Sequence, residues 1–173
     1  IPVGGWTDET TVDFVASGVD PDNPDDIQLC VEVQPLGTPF TNTATGCGSF
    51  VTYSGTAVTI EVSISGLVSG TEYHWQAQVC DDEPTCSSWI SFGGNPEANR
   101  DFAIDTDDPT GTVYDGSTVA VDAELNNGSL DQLDANWAIT DALSGISLFE
   151  YSIGTSPGAT DVVTWTAHGT MTS

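Results

Sequence analysis

Apolar and polar residues alternate along several short segments of this chain, most clearly at residues 71–80. There the apolar positions Tyr73, Trp75, Ala77 and Val79 alternate with Glu72, His74, Gln76 and Gln78. A period of two predicts a β-strand with one buried face and one face toward water. The same pattern predicts strands at residues 11–17, 27–33, 49–53 and 57–65, and a further strand that opens at residues 87–89.

The inward positions of these strands define a predicted hydrophobic core. Its members are Phe14, Leu29, Val31, Val33, Ile60, Val62, Leu67, Tyr73, Trp75, Val79 and Trp89. Cys30 falls on the opposite face of its strand, beside Gln28 and Glu32. A disulfide from Cys30 is therefore expected to clip the surface of a sheet.

A corner precedes the strand at residues 71–80. Leu67 is followed by Ser69 and Gly70, which are turn formers, and then by Tyr73 near the start of the strand. At such a corner the tyrosine buries its ring, and its hydroxyl bonds to a backbone group upstream.

The corner and its strand resemble a fibronectin type III repeat or a related bacterial immunoglobulin-like repeat. The residues that carry this resemblance are Leu67, the Gly70-Thr71 step, Tyr73, the alternating strand and Ser87-Ser88-Trp89. The resemblance implies a β-sandwich of about 100 residues at positions 1–106. Because this fold hosts many functions, the resemblance leaves the chemistry open.

The pattern restarts after a short polar linker at residues 105–109. Residues 133–141 match residues 12–20 in the same register, which indicates an internal repeat. The second copy also resembles bacterial tandem-repeat domains, through Trp137, the turn at residues 141–146 and the strand at residues 151–155. The fold expected is thus all-β: tandem immunoglobulin-like sandwiches of the fibronectin III type, with residues 107–173 forming the N-terminal half of the second.

Half a sandwich exposes an unpaired sheet edge and part of its core. Two explanations follow, and both are expectations from the sequence. The favoured one is that the chain is a fragment of a longer tandem array. Its start at Ile1 without a methionine is expected either of such a fragment or of a processed chain. The other is that a second chain supplies the missing strands.

The charge of the chain limits its partners. Asp and Glu number 26 against a single base, Arg100, which gives a formal net charge of −25. Such a surface disfavours nucleic acid and anionic membranes as partners. No apolar run is long enough for membrane insertion, and no signal peptide is visible. With 38% hydrophobic residues and five Trp, the chain is expected to fold around a core despite its charge.

Four cysteines in an acidic, strand-rich chain predict an oxidising compartment, and hence a secreted or cell-surface protein. Of the three possible pairings, local spacing favours Cys30 with Cys47 and Cys80 with Cys86. The two long-range pairings remain open alternatives. A zinc site is disfavoured because the chain has no CxxC motif.

Two acidic clusters are candidate calcium sites. They comprise Asp20, Asp22, Asp25 and Asp26 in one loop, and Asp105, Asp107 and Asp108 in the linker. Calcium requires six to eight oxygen ligands, which short Asp-rich loops can supply. The linker also resembles, distantly, the junctions of cadherin-type arrays, where calcium stiffens the joint. The alternative is that these residues cap turns and keep the surface soluble.

Other chemistry has weaker support in the sequence. No nucleophile elbow, metalloprotease motif or phosphate-binding loop occurs, so the chain is not expected to be an enzyme. Trp6 and Trp165 are the tryptophans free to stack on sugars, because Trp75, Trp89 and Trp137 are assigned to strands with core faces. Asn127 begins a glycosylation sequon.

These observations favour a non-catalytic extracellular repeat module with a structural or adhesive role, such as a spacer, stalk, adhesin or filament subunit, with calcium as its cofactor. Its expected partners are neighbouring repeats of the same polypeptide or identical subunits, with glycans or cell-surface proteins as further partners. The alternative is a glycan-binding accessory module of a secreted polysaccharide-degrading enzyme.

Overall fold

The computed structural model describes residues 1–21, 25–83, 85–116, 118, 121 and 134–169. These residues form strands and turns, and none of them belongs to a helix that could span a membrane. The predicted all-β class is therefore confirmed. The chain divides into two compact units, Ile1–Thr106 and Asp107–Ser173, which are described separately below as the first and second units.

Short strands follow one another along the described part of the first unit. They are β1 (Gly5–Thr7), β2 (Val12–Gly18), β3 (Asp26–Pro35), β4 (Gly46–Cys47), β5 (Val51–Thr52), β6 (Val58–Ile64), β7 (Thr71–Asp81), β8 (Ile90–Ser91) and β9 (Phe102–Ile104). The larger sheet has the order β1-β9-β7-β3-β4, with β5 also on β3 and β8 also on β7. The smaller sheet consists of β2 and β6.

Apolar residues from both sheets pack into one core, which is consistent with a β-sandwich. Of the predicted core, these residues are buried: Phe14, Leu29, Val31, Val33, Ile60, Val62, Leu67 and Tyr73. Trp75 and Val79 are half-buried and pack against the core. Alternation thus predicted the inward faces of β2, β3, β6 and β7.

The prediction that Trp89 belongs to the core is wrong. Trp89 is half-exposed and lies outside the core cluster, because the strand that follows is only Ile90–Ser91. The ring of Phe92 stacks on Trp75 instead, with ring centroids 5.2 Å apart. The segment before Trp89 stays beside β7, since the N–H of Ser87 donates to the carbonyl of Val79 at 2.8 Å.

The predicted tyrosine corner is confirmed. Tyr73 is buried, and its hydroxyl oxygen accepts a hydrogen bond from the N–H of Val68 at 3.0 Å. Gly70 adopts φ of +75° at this corner, a left-handed conformation that strongly favours glycine. The N–H of Gly70 donates to the carbonyl of Ile104 at 2.8 Å, which joins the corner to β9.

Both predicted disulfides, Cys30–Cys47 and Cys80–Cys86, are confirmed. Cys30 and Cys47 lie opposite each other on β3 and β4, and Cys80 and Cys86 form an isolated bridge at the end of β7. The first bond therefore links two paired strands of the larger sheet, and the second links the end of β7 to the segment that follows it. Disulfides are typical of an oxidising, extracellular-type environment.

The second unit has two antiparallel strand pairs among its described residues. Their strands are β10 (Thr110–Asp115) with β11 (Ala135–Thr140), and β12 (Phe149–Ile153) with β13 (Val163–Gly169). Trp137 of β11 contacts both strands of the other pair, through the ring of Phe149 at 5.8 Å and that of His168 at 5.0 Å. None of the described residues in this unit is buried.

Candidate functional site

The outer face of the larger sheet carries a buried carboxylate, Glu32. Two residues of the loop at positions 36–45 surround it: the N–H and hydroxyl of Thr41 donate to Oε1 at 2.7 and 2.8 Å, and the N–H of Asn42 donates to Oε2 at 2.9 Å. The amides of Gln34 and Gln76 donate as well, at 2.9 and 2.7 Å. Glu32 is fully buried, and these donors hold the loop against the sheet.

The hydrogen-bond donors around Glu32 stabilise its ionised form. Burial on its own raises the pKa of a carboxyl group, but the hydrogen bonds from Thr41, Gln34 and Gln76 outweigh it and lower the pKa of Glu32 to about 2. Asn42 adopts φ of +59°, a left-handed conformation that asparagine tolerates better than most residues. In that conformation its side-chain oxygen accepts a further bond from Gln76 at 3.0 Å.

His74 lies beside this network on the same outer face. Its Nδ1 is 2.8 Å from Oε1 of Glu97, and its Nε2 is 2.8 Å from the carbonyl of Thr38. Both partners are acceptors, so both contacts are hydrogen bonds together only when the imidazole is doubly protonated. The ring of Phe40 stacks on the imidazole, with centroids 4.2 Å apart.

The sequence predicted that this outer face is turned to water, and that prediction is wrong for its middle section. His74 and Gln76 do point away from the core, as the alternation indicated, but both are buried. The loop at residues 36–45 covers them, because its N–H groups donate to Glu32 on β3 and its Thr38 carbonyl accepts a hydrogen bond from His74 on β7.

A groove of about 430 Å³, here called the β2 groove, runs beside β2 in the first unit. The aromatic rings of Phe14, Trp75, Phe92 and Phe102 line it. Phe14 and Trp75 meet edge to face with centroids 4.8 Å apart. Concave sites of this size with apolar walls and a few polar groups are where proteins commonly bind ligands.

Three carboxylates line the β2 groove as well: Glu9, Asp13 and Asp101. Glu9 and Asp13 are exposed, and Asp13 accepts a hydrogen bond from the hydroxyl of Ser63 at 2.5 Å. Asp101 is buried, which raises its pKa, although the N–H of Trp75 donates to its Oδ2 at 3.0 Å and acts in the opposite direction. The groove is therefore apolar and acidic.

The residues predicted to bind calcium differ in their burial. Asp20, Asp25 and Asp26 are half-buried around the start of β3, and Asp22 lies outside the described residues. Asp105 is buried and its N–H donates to the carbonyl of Thr7 at 2.8 Å, whereas Asp107 and Asp108 are exposed. Among the residues that the structure describes, no group of three or more His, Cys, Asp or Glu side chains is arranged to hold a metal ion.

Other aspartates cap turns. This is the role expected from the sequence as the alternative to calcium binding. Asp141 accepts bonds from the N–H groups of Leu143, Ser144 and Gly145 at 3.0 to 3.1 Å. Asp161 accepts from the hydroxyl and N–H of Thr155, which lower the pKa of its carboxyl group.

The two tryptophans predicted to stack on sugars differ in their surroundings. The guanidinium of Arg100 lies over the ring of Trp6, 4.7 Å from its centroid, and thus occupies one face. Trp165 on β13 is 66% exposed. The glycosylation site predicted at Asn127 lies outside the described residues.

Comparison with known protein families, with curated proteins and with solved structures finds no match to this chain.

Sequence reasoning missed the residues that give the first unit its most specific features. Alternation places Glu32 on a solvated strand face, and no sequence pattern marks Asp101 or Phe92 as part of a site. One signal was available for Glu32: a disulfide between Cys30 and Cys47 forces the intervening chain to return to β3 beside Glu32.

Proposed function

We propose that this chain is a non-catalytic, secreted structural or adhesive module that works within an array of similar domains. The first unit would be the rigid element, braced by two disulfides and by the loop fastened to Glu32. Its tyrosine corner and two facing sheets support an assignment to the fibronectin III or immunoglobulin-like class.

The observation that carries this proposal is the open packing of the second unit. Its described residues include none that is buried, yet it exposes large apolar side chains, among them Val113, Val162 and Trp165. Apolar surface of this kind marks a site that another protein surface covers. A neighbouring domain of the array, or an identical chain, would complete this packing.

We expect the isolated chain to self-associate through this apolar surface. Sedimentation velocity over a range of protein concentrations, at high ionic strength to screen the charge of −25, should show reversible association. Replacing Trp165 by Ser should weaken the association, because 66% of its surface is exposed in the second unit.

Ile90→Ser provides the matched control, since Ile90 is equally exposed, at 69%, but lies in the first unit. If both substitutions weakened self-association equally, the association would be nonspecific hydrophobic aggregation. A chain that stays monomeric at every concentration, with amides of β10 to β13 already protected from hydrogen exchange, would contradict the proposal.

Calcium is the cofactor proposed for the linker. Asp105, Asp107 and Asp108 lie within four consecutive residues, and ionised carboxylates so close together repel one another. Extracellular modules bind calcium with dissociation constants of about 0.1–1 mM, and binding would raise the melting temperature and restrict motion between the units.

Small-angle X-ray scattering with and without calcium tests this prediction. Asp107→Asn should remove most of the calcium-dependent change in scattering. Asp82→Asn should preserve that change, because Asp82 is an exposed aspartate in the first unit. Scattering profiles that do not change with calcium would leave the linker an acidic hinge.

Glycan binding is the second candidate function, favoured by the exposure of Trp165. Sugar rings stack on exposed aromatic faces, so a glycan should quench or shift tryptophan fluorescence in the parent chain but not in Trp165→Ser. Measurements on the parent chain separate the two functions: association without a fluorescence response to polysaccharides supports the structural module.

A further inference from the structure

Strand β2 lies at an edge of the first unit. Among the described residues it pairs with β6 alone, in a register that runs from Val12 opposite Ile64 to Gly18 opposite Val58. An edge strand presents a row of backbone N–H and C=O groups that can pair with an added strand. The β2 groove lies beside this edge.

The walls of the β2 groove indicate which side chains an added strand would bring. Successive side chains of a strand point to opposite faces, so every second residue of the occupant would enter the groove. There it would meet the rings of Phe14, Trp75 and Phe92, which favour apolar side chains. The inward positions of the occupant should therefore be apolar.

Charge determines the other positions of the occupant. Glu9, Asp13 and Asp101 line the groove, and no Lys, Arg or His is among its lining residues. Opposite charges on neighbouring strands stabilise their pairing, whereas like charges destabilise it. Val15, which is 59% exposed next to Asp13 on the outer face, offers apolar surface for the methylene groups of a lysine side chain.

A second copy of this chain is a poor occupant. Each copy carries a net charge of −25 and has no Lys. Its one Arg, Arg100, is engaged with Glu72 at 2.6 Å, with the carbonyl of Gly4 at 2.8 Å and with the ring of Trp6. The complementary charge must come from a different protein.

We propose that the β2 groove binds an extended segment of a basic partner protein, in which lysine or arginine alternates with apolar residues, as an added strand on the free edge of β2. Main-chain hydrogen bonds to β2 would supply affinity, and the aromatic walls and carboxylates would supply specificity. This interaction is separate from the association proposed for the apolar surface of the second unit, since all residues of the β2 groove lie in the first unit.

A set of three short labelled peptides tests the proposal on the full chain by fluorescence polarisation. In the first, lysine alternates with valine; in the second, lysine alternates with serine; in the third, glutamate alternates with valine. We expect the lysine–valine peptide to bind best, because the second lacks the apolar side chains and the third has the wrong charge. Its affinity should fall as salt is added.

Variants locate the site. Glu9→Gln combined with Asp13→Asn should weaken the lysine–valine peptide by roughly three- to tenfold, the amount expected for two exposed ion pairs. Glu83→Gln is the matched control, because Glu83 is an exposed carboxylate in the turn after β7 and is not among the residues that line the groove. It should leave binding unchanged.

Backbone NMR of the ¹⁵N-labelled chain completes the test. Peptide-induced shifts should concentrate on residues 11–15 and on the indole of Trp75. Equal affinity for the lysine–serine peptide would show attraction by net charge alone and overturn the proposal. So would shifts confined to the second unit, an unaltered affinity in the double variant, or equal affinity for the glutamate–valine peptide.

Discussion

Replacing Glu32 by Ala should destabilise the first unit by roughly 3–5 kcal/mol, a large share of the stability of an ordinary domain. The substitution removes the acceptor for donors on Gln34, Thr41, Asn42 and Gln76 at once. Each buried donor that loses its partner costs about 1–3 kcal/mol, although water entering the vacated space would recover part of this. The loop at residues 36–45 should then leave the sheet.

Urea denaturation followed by tryptophan fluorescence measures this loss. Glu61→Ala is the control, since Glu61 is exposed on β6 and its loss should change the free energy of unfolding by less than about 0.5 kcal/mol. Equal denaturation midpoints for the two variants would mean that the Glu32 network contributes nothing to stability.

The same network predicts the behaviour of the protein in acid. The pKa of Glu32 is lowered to about 2 in the folded state from an ordinary value of 4.5. A lowered folded-state pKa stabilises the protein above the unfolded-state pKa, and this stabilisation is lost as the pH falls toward the folded-state pKa. We therefore expect the free energy of unfolding to fall by roughly 3 kcal/mol as the pH is lowered from about 4.5 to 2. Glu32→Gln should lack this component of the acid slope.

The sequence predicted much of the first unit because alternation reports burial directly. Strands β2, β3, β6 and β7 have one face against the core, and their apolar residues recur at every second position. The turn at Gly70 and the position of Tyr73 predicted the corner for a local reason, since both depend on a few adjacent residues.

The outer face of the larger sheet was not predictable in the same way. Alternation separates apolar from polar positions, but it does not tell whether the polar face meets water or another segment of the chain. Glu32, His74 and Gln76 are buried because the loop at residues 36–45 brings backbone N–H donors, a backbone carbonyl acceptor and the ring of Phe40 over them. That arrangement depends on tertiary contacts that local pattern does not encode.

The β2 groove escaped sequence analysis for a related reason. Its aromatic walls come from β2, β7, the segment after β8, and β9, which are distant in the sequence and meet only in the folded unit. The predicted calcium ligands lie in loops or at the start of β3, where the excess of Asp is visible in the sequence. Asp101 lies beside β9 instead, where it is buried and accepts a hydrogen bond from the N–H of Trp75.

Truncating Trp75 to Ala should cost about 3 kcal/mol or more, because it removes a large aromatic side chain from the edge of the core. The indole contacts Phe14 edge to face at 4.8 Å and stacks on Phe92 at 5.2 Å. Its loss removes the ring that stacks on Phe92 and one of the two rings that meet Phe14 edge to face, the other being Phe102. Since the indole is only half-buried, the cost should fall at the lower end of the range for tryptophan truncation.

Trp89→Ala is the matched comparison, because the alternation assigned both tryptophans to the core while the structure keeps only Trp75 against it. Trp89 is half-exposed, and no aromatic ring contact involves it in the described part of the chain. Its truncation should therefore cost less than about 1 kcal/mol. Thermal unfolding of the two variants, followed by circular dichroism, should give a clearly lower melting temperature for Trp75→Ala. The reverse order would place Trp89 in the core and contradict the packing of Phe92 on Trp75.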